Sequence, residues 1–297
     1  MMLKWLGIIL FLTLLLTCAI TPAIYSLIIS LWPDFSYPFS RVYNRVLLVN
    51  LILFLLLFRR KVNLSEIISP FKHGDFKLNI GWLAKGCLLS FVLSLSASLL
   101  LLYSGEVMLK EFKPQDLLHR ILKTVPTALI VSFIEEGIFR IVIFVSFIRY
   151  IGIYLAAIFS SFIYAVVHFI TPDRSFEYPG FSLSIGFEYL AVVFERLMMP
   201  GVVFGVIGLF LIGIVLCFAF VRSGSIYLSI GLHMGWIFIS KLTSVYLVFQ
   251  PVAGIPSGLG SRYFLVAQPL AWLSIVVVGA ALFFLSRKVS DEQESKQ

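Results

Sequence analysis

Long apolar runs alternate with short polar connections along almost the whole chain, near residues 5 to 31, 38 to 58, 79 to 103, 124 to 148, 152 to 171, 199 to 220, 225 to 249 and 264 to 286. A helix rises about 1.5 Å per residue, so a run of about 20 residues crosses the roughly 30 Å hydrocarbon core of a bilayer. The pattern predicts an all-α, polytopic membrane protein with about eight transmembrane helices. It reads as one integral membrane domain over residues 1 to 289, followed by a charged, disordered tail at 290 to 297. Lys4 precedes the first run as in a signal peptide. That run continues to Leu31, beyond the roughly 7 to 15 residues of a signal sequence's apolar region, so it is expected to stay as the first helix.

The connections carry less information. Residues 59 to 78, with Ser69-Pro70 and His73-Gly74-Asp75, read as a basic, partly amphipathic link at the interface, and 104 to 121 as a short polar or surface helix. Residues 250 to 262, with Pro251, Gly254, Pro256, Gly258 and Gly260, read as a flexible loop, and Met198-Met199-Pro200 as a bend or helix start. Trp5, Trp32, Trp82 and Tyr103 near run ends are expected as interfacial anchors.

Composition agrees with a membrane protein: 60% of residues are hydrophobic, 13% are charged and 29 are phenylalanine. The net charge of +8 is scattered over the connections, with no interleaved basic and aromatic surface, so nucleic acid is not an expected partner. Membrane lipids are. Arg59-Arg60-Lys61 abuts the second run and Arg287-Lys288 the eighth, which by the positive-inside rule places both termini in the cytoplasm, at the plasma membrane for a bacterial chain. Cys18, Cys87 and Cys217 fall in separate apolar runs without disulfide or metal spacing and are expected as packing residues.

Chemistry is to be sought among the polar residues inside the runs. Glu135 and Glu136 stand together in the apolar stretch 127 to 147, with Arg140 as the one other charge there. Each ionised side chain at the bilayer centre costs roughly 2.5 to 3.5 kcal/mol, so three together mark a buried polar site. Glu136 and Arg140 are at i and i+4 with the acid first, the better orientation for an ion pair. Glu135 points about 100° away round the helix, so Arg140 can hold one carboxylate and leave its neighbour as a general base. His73 and His119 lie in polar connections. His168 shares a helix face with Tyr164, and His233 stands between Gly231 and Gly235, which permit close helix approach.

Glu135-Glu136-Gly137-Ile138-Phe139-Arg140, then His168, then Gly231-Leu232-His233, resemble the successive motifs of the CPBP family of intramembrane proteases. That family includes the type II CAAX prenyl endopeptidases and bacterial proteins associated with bacteriocin processing and self-immunity. The resemblance covers roughly residues 125 to 240. It implies peptide-bond hydrolysis within the bilayer, with Glu135 activating water, His168 and His233 holding the water or oxyanion, and Glu136, Arg140 and Tyr164 in support. Two positions depart from the family pattern: Tyr164 stands where Phe is usual, and Ile237, four residues after His233, replaces a usual Asn or Asp. Losing an oxyanion donor costs about 100- to 1000-fold in rate.

The family is described as both glutamic and metal-dependent. A metal-free site is the expectation, with zinc held by Glu135, His168 and His233 as the alternative; no His is followed by Glu, which excludes a zincin motif. The expected substrate is a peptide or lipidated protein, either a prenylated C-terminus or a leader peptide. Two other readings stand beside proteolysis. One is a non-catalytic peptide-binding or immunity protein. The other is a proton-coupled transporter using the buried Glu, His and Arg with Lys85, Glu188, Glu195 and Lys241. A purely structural reading makes Glu136 and Arg140 an ion pair between helices and the histidines hydrogen-bonded core residues. Counted from the inner run ends at about 1.5 Å per residue, Glu135 lies near 21 Å, His168 near 24 Å and His233 near 12 Å, a spread that helix tilt must absorb.

Overall fold

The computed structural model describes residues 2–58, 76–111, 114–169, 176–249 and 265–294. Nine α-helices form among them: α1 Met2–Leu31, α2 Phe39–Leu57, α3 Phe76–Tyr103, α4 Pro114–Glu136, α5 Val145–Phe169, α6 Ile185–Leu197, α7 Pro200–Ser223, α8 Ile226–Tyr246 and α9 Pro269–Glu294. A π-helical segment, Gly137–Phe144, joins α4 to α5. The protein is an all-α membrane protein. Five helical stretches among the described residues are long and apolar enough to cross a membrane: Gly7–Leu31, Lys77–Tyr103, Leu117–Phe169, Val202–Ser223 and Ile226–Tyr246. Pro269–Phe283 is a shorter apolar helix.

Leu117–Phe169 is 53 residues long, which as a straight helix would reach about 80 Å. Gly152 interrupts it, with φ 76 and ψ 168, a conformation essentially reserved for glycine. Arg149 and Tyr150 are exposed just before this break, as befits a connection between two runs. The break falls where the hydrophobic pattern separates its fourth and fifth runs.

The chain packs as two compact units, Met1–Glu66 with Val166–Met199, and Ile67–Ala165 with Pro200–Gln297. In the first, α1 packs against α2 and α6. An aromatic cluster of Tyr25, Phe39, Tyr43 and Tyr189 fills the centre, with Phe176 and Tyr178 beside it. Polar atoms are matched locally: Asn50 donates to Thr17 Oγ1 at 3.0 Å, and Cys18 Sγ meets the Tyr43 hydroxyl at 3.1 Å. Gly186 lets α6 lie directly on the Cys18 backbone. Glu188 and Glu195 are exposed on α6, opposite its buried Ile185, Tyr189 and Val193.

In the second unit α8 is the central helix, in contact with α3, α4 and α7, while α9 packs on α7 and α3. Glycine controls the α3–α8 crossing. A Cβ on Gly86 would stand 2.6 Å from the Leu228 carbonyl oxygen, and one on Gly231 or Gly235 would meet the α3 backbone at Leu83 or Cys87. The two helices therefore touch backbone to backbone, as small residues allow in membrane interfaces. On α4 the buried positions recur every four residues, Thr124, Ala128, Ser132 and Glu136, so small side chains open a flat stripe that ends at the carboxylate.

Several connections differ from the sequence expectation. Residues 107–109, expected within a surface helix, form β1 (Val107–Leu109), paired antiparallel with β2 (Leu247–Phe249) in the register Val107↔Phe249. The helix of the seventh run accordingly ends at Tyr246 rather than at 249. Valine, leucine and phenylalanine suit this pairing, which satisfies backbone groups at two helix ends at once. Helix α4 begins at Pro114, ten residues ahead of the expected run, with proline at its first position where no N–H is required. Pro200 likewise starts α7. Helix α9 continues to Glu294, into the segment expected as a tail. Trp32 and Tyr103 are exposed as anchors should be, whereas Trp82 is buried and carries Lys85 over its ring at 5.1 Å. The expected basic link from 59 to 75, including Arg59-Arg60-Lys61 and His73, lies outside the described residues, as does the glycine- and proline-rich loop from 250 to 262.

Candidate active site

Glu135 and Glu136 are the last two residues of α4, and the π-helical segment opens immediately after them. A π-turn is wider than an α-turn and often marks a functional position. Its last internal bond runs five residues back, from the Val145 N–H to the Arg140 carbonyl, and from outside the Ser160 hydroxyl of α5 donates to the Phe139 carbonyl at 3.2 Å. Ser146 also donates to the Val142 carbonyl.

Glu136 is fully buried and uses both oxygens. Oε2 accepts from Arg140 Nε at 2.9 Å, and Oε1 meets His233 Nδ1 at 2.9 Å. Arg140, also fully buried, extends Nη1 to Cys217 Sγ on α7 at 3.4 Å and lays its guanidinium 5.4 Å from the centre of the Tyr164 ring. The carboxylate requires a donor on Nδ1, so in a neutral imidazole the proton sits there and Nε2 is left as acceptor. Nε2 stands 3.2 Å from the Tyr164 hydroxyl and 3.6 Å from Glu135 Oε2. Phe139 packs edge-on against Tyr164 with centroids 5.1 Å apart, which fixes the plane of that ring.

Five of the residues singled out in the sequence therefore meet in the second unit: Glu135, Glu136, Arg140, Tyr164 and His233. Glu135 and His233 come within ion-pair distance despite the difference in depth counted along their runs. Glu135 is the least buried of the clustered acids, with 26% of its side chain exposed, although the Oε2 atom that faces His233 is itself buried. His168 lies half-buried on the last turn of α5, four residues after Tyr164, in the part of the helix that packs with the first unit. Ile237, one turn beyond His233, is half-buried and offers no hydrogen-bond donor.

Cys217 was expected as a packing residue. It is buried, but it also takes an N–H of Arg140 and lies 3.8 Å from Ser161 Oγ, so it is a soft acceptor for the buried guanidinium. No spacing rule could have found this, since the contact joins residues 77 positions apart. Among the described residues no three His, Cys, Asp or Glu groups converge as a ligand set, and both nitrogens of His233 already have partners.

Residues 117–239 match the family model of the Rce1-like type II CAAX prenyl endopeptidases. This stretch is similar to that family. The Rce1-like region begins in α4, ends in α8 and contains all five clustered residues as well as His168. No curated protein and no solved structure matches the chain. The chain is thus an integral membrane protein with a segment similar to the type II CAAX prenyl endopeptidases.

Proposed function

We propose that the protein is an intramembrane endopeptidase in which Glu135 activates water. The observation that carries this reading is the convergence of Glu135 Oε2 on the one nitrogen of His233 that Glu136 does not hold, at 3.6 Å. Two acceptors at that separation are both within hydrogen-bond reach of one water oxygen, each taking one O–H. Glu135 removes a proton as the water oxygen attacks the peptide carbonyl carbon, and it returns that proton to the leaving amine when the C–N bond breaks. His233 Nε2 holds the second O–H. Glu136 fixes the tautomer and ring plane of His233 through Nδ1, and Arg140 fixes Glu136, so these two act on geometry. His168 is assigned to the same water or oxyanion through the family motif.

The substrate class proposed is a membrane-associated peptide, a prenylated C-terminus or a leader segment. Eight membrane crossings belong to the proposal: the five long apolar stretches support it, with Leu117–Phe169 counted as two at Gly152, and α2 and Pro269–Phe283 are added as the remaining two. The proposed orientation has both termini in the cytoplasm, supported by the basic clusters that flank the second and eighth runs. One observation favours a peptide-binding protein that does not cut, namely Ile237 at a position where a polar side chain would serve an oxyanion. Transport finds less support, because Glu188 and Glu195 are exposed on α6 and Lys85 sits on Trp82.

The test is mass spectrometry of peptide termini from cells expressing the intact protein, beside cells expressing Glu135→Gln or His168→Ala at equal membrane levels. Termini present with the unaltered chain and lost in both variants establish the protease and name its substrate. Indistinguishable termini in all three refute it.

A further inference from the structure

A serine inside a membrane helix ordinarily returns its hydroxyl to a carbonyl three or four residues earlier on the same helix. Ser90, Ser98, Ser132 and Ser274 do so, on the carbonyls of Gly86, Ser94, Leu129 and Ala271. Ser160 does not. Its fully buried hydroxyl donates to the Phe139 carbonyl at 3.2 Å, 21 positions back and inside the π-helical segment. Such segments are rare and short, because the α-turn is the one that a helical backbone forms more readily. Apart from Arg140, Gly137–Phe144 carries no polar side chain that could hold the wider turn from within. The donor is itself held in place. The adjacent Ser161 lies against Gly213 of α7, where a Cβ would stand 2.7 Å from the Ser161 Cβ.

We infer that Ser160 is a positioning residue for hydrolysis: its bond to the Phe139 carbonyl holds the π-turn from which both nitrogens of His233 are aimed. This rests on the protease reading above. The carbonyl of Phe139 and the N–H of Arg140 belong to one peptide plane, so the Ser160 bond fixes the plane between these two residues. Two lines of contact leave it. The Phe139 ring packs edge-on against Tyr164 at 5.1 Å, and the Tyr164 hydroxyl stands 3.2 Å from His233 Nε2. Arg140 Nε binds Glu136 Oε2 at 2.9 Å, and Glu136 Oε1 meets His233 Nδ1 at 2.9 Å. A relapse of the segment to α-turns changes the register by one residue, about 100° round the axis, and turns Phe139 and Arg140 away from these partners. The imidazole then loses what fixes its plane and what keeps its proton on Nδ1. Ser160 and Tyr164 share a face of α5 at i and i+4, so one helix carries both the hydroxyl and the ring at the end of the first line. Ser160 thus acts through other residues and not on the water itself.

The test compares the full-length chain with Ser160→Ala, Thr17→Val and Glu135→Gln at equal membrane levels. Thr17→Val removes the acceptor of Asn50 Nδ2, a buried hydrogen bond of the first unit, and so reports what general loosening does. Two quantities are read. One is the rate at which Glu135-dependent peptide termini appear. The other, from nitrogen-15 NMR of the purified, histidine-labelled protein, is which ring nitrogen of His233 carries the proton, with His233→Gln identifying its resonances. For Ser160→Ala the expected result is cleavage about 10- to 100-fold slower, together with a second His233 population that is protonated on Nε2 and bare on Nδ1. Thr17→Val should match the unaltered chain in both. A Ser160→Ala variant within threefold in rate, or with His233 protonated as in the unaltered chain, overturns the inference, and an inactive Glu135→Gln beside it leaves the protease reading standing. Thr17→Val as slow as Ser160→Ala also overturns it, because loosening is then the cause. Should no cleavage depend on Glu135, the protease reading fails and the role of Ser160 in hydrolysis fails with it.

Discussion

Replacing Glu136 by glutamine isolates what holds the site together. Both carboxylate oxygens accept, one from Arg140 Nε and one from His233 Nδ1, each at 2.9 Å in a place with no exposure to solvent. Glutamine has the same shape but one acceptor and one donor, so whichever way the amide turns its NH2 meets another N–H. One hydrogen bond to a charged group, about 1.5 to 3 kcal/mol, is lost outright. In addition Arg140 keeps its charge without a counter-charge, and breaking a buried pair from one side costs about 3 to 5 kcal/mol in total. Glu136→Gln should therefore destabilise the folded protein by at least about 3 kcal/mol, about 100-fold in the unfolding equilibrium, and abolish cleavage. Denaturant unfolding of the purified protein in detergent reads the first effect. Adding Arg140→Met removes the stranded charge and should restore at least half of the lost stability, while cleavage stays impaired because a neutral amide holds the His233 Nδ1–H more weakly than the carboxylate does. Unfolding of Glu136→Gln within about 0.5 kcal/mol of the unaltered protein would refute the reasoning, as would a double variant no more stable than the single one.

Further expectations follow from the packing. Gly152→Ala meets no neighbouring atom, so its cost should be the backbone strain alone, about 1 to 3 kcal/mol, measurable as a lowered unfolding midpoint. Gly231→Ala drives a Cβ into the Leu83 backbone of α3 and should cost about 1 to 3 kcal/mol and slow cleavage by displacing His233, detectable by comparing unfolding with the appearance of peptide termini. Cys217→Val removes the acceptor of Arg140 Nη1 and should cost about 1 to 3 kcal/mol, whereas Cys217→Ser keeps an acceptor and should lie within about 1 kcal/mol of the unaltered protein in the same unfolding assay.

The helices were legible because a bilayer imposes one length and one polarity on every crossing, and α1, α2 and α3 begin and end within a few residues of their runs. The polar cluster was legible for the same reason: Glu135, Glu136, Arg140 and His233 stand out against an apolar background. What the runs did not reveal depends on contacts distant in sequence. The β1–β2 pair joins residues about 140 positions apart, and neither strand shows more than a few apolar residues that read equally well as helix. The Cys217 contact with Arg140 and the division of the chain into two units have the same character. Pattern also missed the π-helical segment, since Gly137–Phe144 is as apolar as the α-helix that it interrupts, and its support comes from Ser160 on a later turn of the chain.

That segment bears on why two adjacent glutamates are present. A carboxylate with both oxygens committed to Arg140 and His233 has its lone pairs directed into the bundle and is poorly placed to take a proton from water. Its neighbour, turned by about 100° on the helix, has the opposite situation: it is 26% exposed and faces the other nitrogen of the same histidine. One imidazole thus spans the two acids, Nδ1 on Glu136 and Nε2 towards Glu135. The wider π-turn begins at the next residue and returns Arg140 to Glu136 after four positions, so the guanidinium neutralises the holding carboxylate rather than the less buried one. Exchanging these roles would require rotating α4 by about one residue, which would carry Thr124, Ala128 and Ser132 out of their buried positions along with Glu136. The division of labour between the two carboxylates is therefore set by the same four-residue stripe that packs the helix.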